Sequence, residues 1–391
     1  MKILVIGGGM AGLTYAIVAC KNGLDVTVAE RNARVGKKIA ATGNGKCNIG
    51  NSKVNASCFN GSAVVHRVID QISVNEYKKF LISCGIYTYT DVDGRMYPMS
   101  DSAANVVDCL RHQLVKFGAR LWPDTEITSC VKVGNQYHVT VGTMSYAFDK
   151  VVLACGSGSQ AERPNISNII PNEVFTPIAP SLVPVKVRDM DGTLNGLRAR
   201  ANVTLYDGNL YMGKESGEVL FKDYGLSGIC IFNLSALIAR KMVQRKSGDY
   251  TFSLDVVPHI SQWDLQEIIH GRIKCGERSK LFYGILHNKL AEHIVKRAGS
   301  NADAASIANI AKDLQFTFDR LLDWSKSQVT AGGVDDGYLD INTLALSNGV
   351  VVLGELLNVD GICGGNNLYF AAASALYTFS PAQRAKAYSI C

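Results

Sequence analysis

Apolar residues follow two rhythms along this chain. Lys2–Ile6 and Asp25–Ala29 are short continuous runs of the kind that form strands covered on both faces. Between them, Met10–Asn22 carries apolar positions at helical spacing (Leu13, Ile17 and Cys20, with Ala16 and Ala19), and Gly23 marks its end. Lys150–Leu153 repeats the buried-strand pattern and Asn366–Phe379 the helical one. Strand and helix therefore alternate, which predicts an α/β fold with a parallel sheet.

The rhythm changes from Pro180 to Asp255. Short alternating segments appear at Leu182–Val187, Ala201–Tyr206, Leu210–Met212 and Glu218–Phe221, with a turn signal at Asp207-Gly208-Asn209. Leu226–Val243 predicts a helix entered through the turn Gly225 to Gly228. Residues 261–323, including Leu281–Ala298 and Asp303–Leu314, carry helical spacing and lack strand-like runs. The expected organisation is a discontinuous α/β domain over 1–180 and 328–391, an inserted β-rich domain over 181–257 and 316–327, and a helical domain over 258–315. Such an insertion is a natural wall for a substrate pocket, with a rigid spacer or a dimer contact as the plainer alternative.

Composition narrows the class. With 391 residues, 47% hydrophobic and 19% charged, the chain is long enough for a large core and is neither disordered nor fibrous. Its formal charge of +6, from 40 basic and 34 acidic residues, is not gathered into runs, so it suits an anionic cofactor or small acidic substrate and gives no support to nucleic acid. Eleven cysteines without a C-x-x-C or a zinc-like Cys/His cluster read as reduced thiols in a cytoplasmic protein. Ile17-Val18-Ala19-Cys20 imitates a lipoprotein signal, but the same residues belong to the more specific pattern below. The late apolar run Leu368–Phe379 is too short to span a bilayer, so no membrane partner is expected.

The first strand runs into Gly7-Gly8-Gly9-Met10-Ala11-Gly12, a G-x-G-x-x-G, and the second ends in Glu30. Each position has a physical task. Gly7 permits a tight turn, Gly9 lets backbone N–H groups approach a pyrophosphate, Met10 and Ala11 open a helix whose positive end faces it, and Gly12 lets that helix lie close on the strand. Glu30 is placed to accept hydrogen bonds from a ribose diol. This is a dinucleotide-binding unit, and by itself it does not separate FAD from NAD. A second pattern, Lys150 to Ala161, reads as strand plus G-x-G-x-x-A. It is either a second nucleotide fold or a strand whose end, at Ala154 and Gly156, returns to the same cofactor; Pro164 and the lack of helical periodicity over 162–172 favour the second reading.

More specific segments lie between and beyond these units: Gly36 to Asn51, containing Thr42-Gly43-Asn44-Gly45-Lys46-Cys47-Asn48; Asp93-Gly94-Arg95-Met96-Tyr97-Pro98; Gly225-Leu226-Ser227-Gly228; Gln328 to Val334; and Gly354 to Leu368. In this order they resemble the BaiN-type, or aminoacetone-oxidase-family, bacterial flavoproteins over essentially the whole chain. The resemblance implies a glutathione-reductase-type FAD-binding Rossmann-like domain carrying an inserted β-rich module and a helical cap. The chain departs from that family's usual pattern at Lys46, Asp223, Ile229 and Asn366 and over Asn342–Asn348.

What the resemblance implies about residues is as follows. The loop of Thr42, Gly43 and Asn48 lies along the flavin ring; Arg31 and Lys38 lie near the cofactor; Gly354, Glu355 and Asp360 lie by the ribityl or phosphate part. Gly365, Asn366, Asn367 and Leu368 open a helix whose N–H groups point at the flavin. By analogy of fold, the backbone of Ile127, in an expected strand over Asp124–Thr128, meets the adenine. Arg95, Tyr97 and Tyr224 are the candidate catalytic proton donors, each with a structural alternative. Cys47 is expected to be a packed thiol and not a redox centre. The implied function is FAD-dependent oxidoreduction of a small molecule, by reduction of an activated C=C bond or oxidation of a small substrate, with NAD(P)H as a transient electron donor or with another donor. A flavin-dependent RNA-modifying enzyme and a non-catalytic flavin or NAD sensor are the alternatives, and no metal is expected.

Overall fold

The computed structural model describes residues 1–59, 62–127, 129–157, 159, 166–299 and 301–389. They form two compact units, Met1–Ala179 with Val329–Cys391, and Pro180–Gln328.

The first unit is built on a seven-stranded sheet. In chain order its strands are β1 (Lys2–Ile6), β2 (Asp25–Ala29), β3 (Arg120–Trp122), β4 (Lys150–Leu153), β5 (Leu339–Asp340), β6 (Ala345–Leu346) and β7 (Val351–Val352). Their spatial order is β5-β6-β7-β4-β1-β2-β3. The five strands from β7 to β3 are parallel, and β5 and β6 add an antiparallel edge. The chain leaves β1 toward β2 on one side and returns as β4 on the other. This reversal opens a crevice at the carboxyl ends of β1 and β4, where α/β sheets bind their ligands.

Helix α1 (Met10–Lys21) fills the space behind that crevice. Every residue from Met10 to Cys20 is buried, because α1 packs on β1 and β2, on helix Ala103–Lys116 and on α2 (Asn366–Tyr377). Tyr15 meets Phe379 with ring centroids 4.9 Å apart, a pairing worth about 0.5–1.5 kcal/mol beyond its buried area. Thus the last helices complete a core begun by the first one. Two small antiparallel sheets belong to the same unit: Gly50–Asn51 with Arg95–Pro98 and Thr88–Thr90, and a meander of Cys130–Val133, Gln136–Val141 and Met144–Phe148.

The second unit contains a closed six-stranded barrel, in the order Val185–Val187, Gly225–Ser227, Leu210–Lys222, Arg198–Asp207, Tyr250–Asp255 and Leu314–Leu321. Helices Gln262–Lys274, Asn288–Ala298 and Ala304–Lys312 belong to this unit as well.

Several expected elements are corrected here. Leu210–Met212 and Glu218–Phe221 are one strand, paired along its length with Arg198–Asp207. Gly213 and Gly217 hid its continuity. A side chain at Gly213 would come within 2.8 Å of Leu237, so helix Ile229–Val243 rests on that bare stretch of strand. The helix expected from Leu226 starts at Ile229, since Gly225–Ser227 is a barrel strand and Gly228, at φ +116°, is pressed onto the Glu218 carbonyl. Leu314–Leu321 is a strand inside the stretch read as helical. Its buried Leu314 and Phe316 flank the exposed Gln315, the start of a period of two that a long helical window conceals. Leu281–Leu286 is not helical; its carbonyls are gathered instead by the Arg272 guanidinium, and the helix begins at Asn288. Leu182 has φ +49°, so the first barrel strand is only Val185–Val187. No strand runs through Asp124–Ile127, where Asp124 has φ +48°; Thr128 lies outside the described residues.

Candidate functional site

The glycine turn is packed from two sides. Gly7, at φ +107°, lies so close to β4 that a Cβ would fall 2.5 Å from the Ala154 carbonyl and the Cys155 Cα. At Gly12 a Cβ would fall 2.0 Å from the Gly7 carbonyl, so only glycine lets α1 approach its own turn. Gly9 is different. It caps α1 with an ordinary extended backbone (φ −83°, ψ −173°), and a Cβ there would meet nothing within 4 Å. Neither conformation nor protein packing requires a glycine, which is the expected condition of a position approached by a ligand. The residues present therefore fit a dinucleotide at the start of α1.

Glu30, 9% exposed, braces this turn. Its carboxylate accepts from the Gly8 N–H and the Asn32 N–H, each at 2.8 Å, and from the Asn32 amide. A carboxylate has about four lone-pair positions, so acceptor capacity remains for ribose hydroxyls. Arg31 is half-buried and lowers the pKa of the Cys155 thiol, against burial that raises it to about 12. Met10, Ala11, Ile127 and Ala154 are buried, and Gly156 has φ +70°. Gly158, Gln160 and Ala161 of the second glycine pattern lie outside the described residues.

Lys38 and Glu355, both expected near the cofactor, are brought together. The Lys38 ammonium lies 2.6 Å from Glu355 Oε2 and 2.5 Å from Ser159 Oγ. Glu355 Oε1 accepts from Ser159 Oγ and from the Thr330 N–H, each at 2.9 Å, and Thr330 Oγ1 lies 2.5 Å from Ser157 Oγ. Burial acts to raise the Glu355 pKa, but Lys38 and the serine hydroxyls outweigh it, and the carboxyl is held below its ordinary value. Sequence reasoning missed Ser157, Ser159 and Thr330, although two of them stand in the Gly156-Ser157-Gly158-Ser159 run that drew attention for its glycines alone.

The Thr42–Asn48 loop turns through four left-handed residues: Gly43, Asn44, Gly45 and Cys47 have φ of 62°, 53°, 88° and 61°. Thr42 donates to the Lys38 carbonyl at 2.7 Å, and Lys46 reaches Asp101 at 3.6 Å. Cys47 is fully buried, and burial pushes its thiol up to about 12. A thiol so protonated is a poor nucleophile, in keeping with a packing role.

This loop meets the amino end of α2. Gly365, at φ +94°, lies where a Cβ would fall 2.2 Å from the Gly50 carbonyl and 2.5 Å from Asn48 Oδ1. Asn366 is 2% exposed and donates to the Ile362 carbonyl. Asn48 Oδ1 and Asn366 Oδ1 are buried acceptors with no donor among the described residues. Asn367 instead closes the preceding turn by exchanging two 2.8 Å hydrogen bonds with the Gly361 backbone. Leu368 packs against the core and Asp360 is fully buried. Gly354, at φ +65°, donates its N–H to Ser374 Oγ, and a Cβ there would lie 3.0 Å from that of Ala11. The carboxyl-terminal block thus packs against the helix that begins at the glycine turn.

The three candidate proton donors do not converge within either unit. Arg95 is engaged by Asp93 at 2.9 Å and Asp91 at 3.8 Å around its own hairpin. Tyr97, on the same strand, stacks on Tyr89 at 5.7 Å. Tyr224 belongs to the second unit, where burial raises its hydroxyl pKa and a hydrogen bond with Ser227 opposes the rise. Among the described residues no group of three or more His, Cys, Asp or Glu could hold a metal, and no helix is long and apolar enough to cross a membrane.

Several known proteins are similar to this chain. The 3-dehydro-bile acid delta(4,6)-reductase of Clostridium scindens is 28% identical, over 95% of this chain and 97% of that one. The ribosomal RNA dihydrouridine synthase of Haemophilus influenzae is 23% identical, over 95% and 96%. Among solved structures, the 3-ketosteroid-delta4-(5alpha)-dehydrogenase of Rhodococcus jostii RHA1 aligns over 98% of this chain and 96% of that one, with a TM-score of 0.47 and 14% identity. Residues 1–379, which take in the glycine turn, the whole second unit and α2, match the HI0933-like protein Rossmann domain, and the chain belongs to that family.

Proposed function

We propose that this protein is an FAD-dependent oxidoreductase that reduces an electron-poor C=C bond of a small molecule, with NAD(P)H as electron donor. The observation that carries the reading is the glycine turn: Gly9 is left open by the protein's own atoms while Gly7 and Gly12 are closed. Membership of the HI0933-like family and the similarity to a bile-acid reductase support the reaction class.

When bound, FAD supplies a two-electron centre that accepts a hydride equivalent from a donor and passes one to an acceptor carbon. The chain's own residues bind and orient. Backbone N–H groups at the start of α1 would hold the pyrophosphate, Glu30 would accept from the adenosine ribose, and the Thr42–Asn48 loop and the start of α2 would flank the ring. The N–H groups that begin α2 would supply positive potential to a flavin ring held beside them. Arg95, Tyr97 and Tyr224 remain the side chains to test for delivering a proton to the substrate carbon.

The similarity to ribosomal RNA dihydrouridine synthases favours a second reading. Forming dihydrouridine also saturates a C=C bond conjugated to a carbonyl, so the two readings share a reaction and differ in the size of the substrate. An absorption spectrum of the purified protein decides the cofactor: flavin bands are expected, either as purified or retained by the protein after added FAD is removed by gel filtration, and the absence of both would end the proposal. Anaerobic mixing with NADH and with NADPH should bleach those bands with at least one. A screen of conjugated enones beside ribosomal RNA then separates the readings, RNA retention at low salt being the sign of the second.

A further inference from the structure

Lys38 and Glu355 present an electrostatic problem that the FAD reading makes sharper. Glu355 directly follows Gly354, which approaches Ala11 in the first turn of α1. The Leu353 N–H is bonded to the Leu153 carbonyl at the end of β4, and Glu355 Oε2 lies 3.8 Å from where a Cβ of Gly156 would be. A largely buried carboxylate therefore stands at the end of the crevice where a diphosphate, itself doubly anionic, would bind. Unbalanced, the two would repel each other in a medium where charge is poorly screened. The hydrogen bonds from Thr330 and Ser159 hold the carboxylate in place without neutralising it. Among its described partners, only Lys38 brings a full positive charge.

We propose that Lys38 is a positioning residue that neutralises Glu355, so that this anchor can link its neighbouring segments without opposing the diphosphate. The proposal rests on the FAD reading, and it gives Lys38 a different task from that of a direct phosphate ligand. Glu355 ties the loop after β4, through Ser159, to the returning strand Val329–Ala331, through Thr330. Lys38 extends that tie to helix Lys37–Ala40. The pair thus holds three parts of a discontinuous site at nearly zero net charge.

The test uses the full chain freed of flavin and measures binding, not turnover. FAD, ADP and adenosine are titrated into wild type, Lys38→Met, Glu355→Gln and the double variant. Lys38→Met is expected to lose affinity for FAD and ADP by about tenfold or more, with adenosine changed by less than about threefold. Adding Glu355→Gln to Lys38→Met should return ADP affinity to within about threefold of wild type, since the uncompensated charge is then gone. A collapsed fold would weaken all three probes and would not be rescued by a second substitution. Lys38→Met binding ADP like wild type overturns the proposal, as does an equal loss of ADP and adenosine with no recovery in the double variant. Wild-type protein that binds neither FAD nor ADP overturns the FAD reading and this proposal together, whereas normal wild-type binding beside an unaffected Lys38→Met overturns this proposal alone.

Discussion

Replacing Gly9 with alanine should separate ligand binding from stability. In the folded chain the new methyl meets no atom within 4 Å, and φ −83° with ψ −173° is open to any residue. Two small effects then act on stability. Losing a glycine restricts the unfolded chain and stabilises by about 0.4–1 kcal/mol, while alanine is a poorer helix N-cap than glycine and costs a similar amount. The apo protein should therefore melt within about 1 kcal/mol of wild type in urea. Binding has no such cancellation. If the methyl occupies space needed by a diphosphate, the overpacking of about 1–3 kcal/mol falls wholly on the complex, a loss of roughly 5- to 150-fold in FAD affinity. Gly12→Ala is the control of opposite character, because its Cβ would lie 2.0 Å from the Gly7 carbonyl and must move α1, lowering apo stability itself. Fluorescence titration with FAD and urea unfolding of the same preparations measure both quantities. Gly9→Ala with wild-type FAD affinity would refute the assignment of that space to a ligand, and a strongly destabilised Gly9→Ala would refute the packing argument.

Two further predictions concern buried titratable groups. Burial lowers the His293 pKa, Arg297 and Lys296 lower it further, and Asp191 opposes them without winning. A folded-state pKa below the unfolded value of about 6.5 means that this histidine's contribution to stability is present above that pH and is lost as the pH falls through the folded pKa. The protection factors of the amides in Asn288–Ala298, with exchange rates corrected for their intrinsic pH dependence, should drop between pH 7.5 and pH 5.5 in wild type and much less in His293→Asn; an equal drop in both would assign the effect to another group. Cys47 and Cys84 are buried, with thiols raised to about 12, while Cys275 is exposed. Iodoacetamide at pH 8 followed by peptide mapping should label Cys275 and spare the other two, and early labelling of Cys47 would contradict its packing role.

Much of this arrangement could be read from the sequence where local pattern and fold agree. β1, α1 and β2 fall where apolar runs and glycines place them, because both faces of the sheet are covered and the turn tolerates only glycine at Gly7 and Gly12. The barrel was harder to see. Its longest strand is interrupted by Gly213 and Gly217, whose bareness makes room for the helix Ile229–Val243 that follows, and Leu314–Leu321 follows a helical stretch with no punctuation between them. Within the site, the meeting of Lys38 with Glu355 joins positions 317 residues apart, and nothing in either local pattern announces it. The motifs led to Lys38 and Glu355 being expected near the cofactor but not to their satisfying each other. The roles of Ser157, Ser159 and Thr330 were hidden for the same reason, since a hydrogen bond to a distant carboxylate leaves no periodic trace.

The sheet's order carries a consequence for synthesis. The second unit, residues 180–328, is one continuous stretch and leaves the ribosome with all of its own strands. The first unit must wait, because β7 joins β4, and α2 covers α1, only after the chain has come back. Until then the outer edge of β4 and the apolar flank of α1 are exposed to solvent, and the glycine turn faces a crevice without Glu355 or the start of α2. A chain stopped between Gln328 and Asn366 should therefore hold the whole insertion and the dinucleotide motif yet be unable to keep a flavin, which makes flavin loading an expected late event.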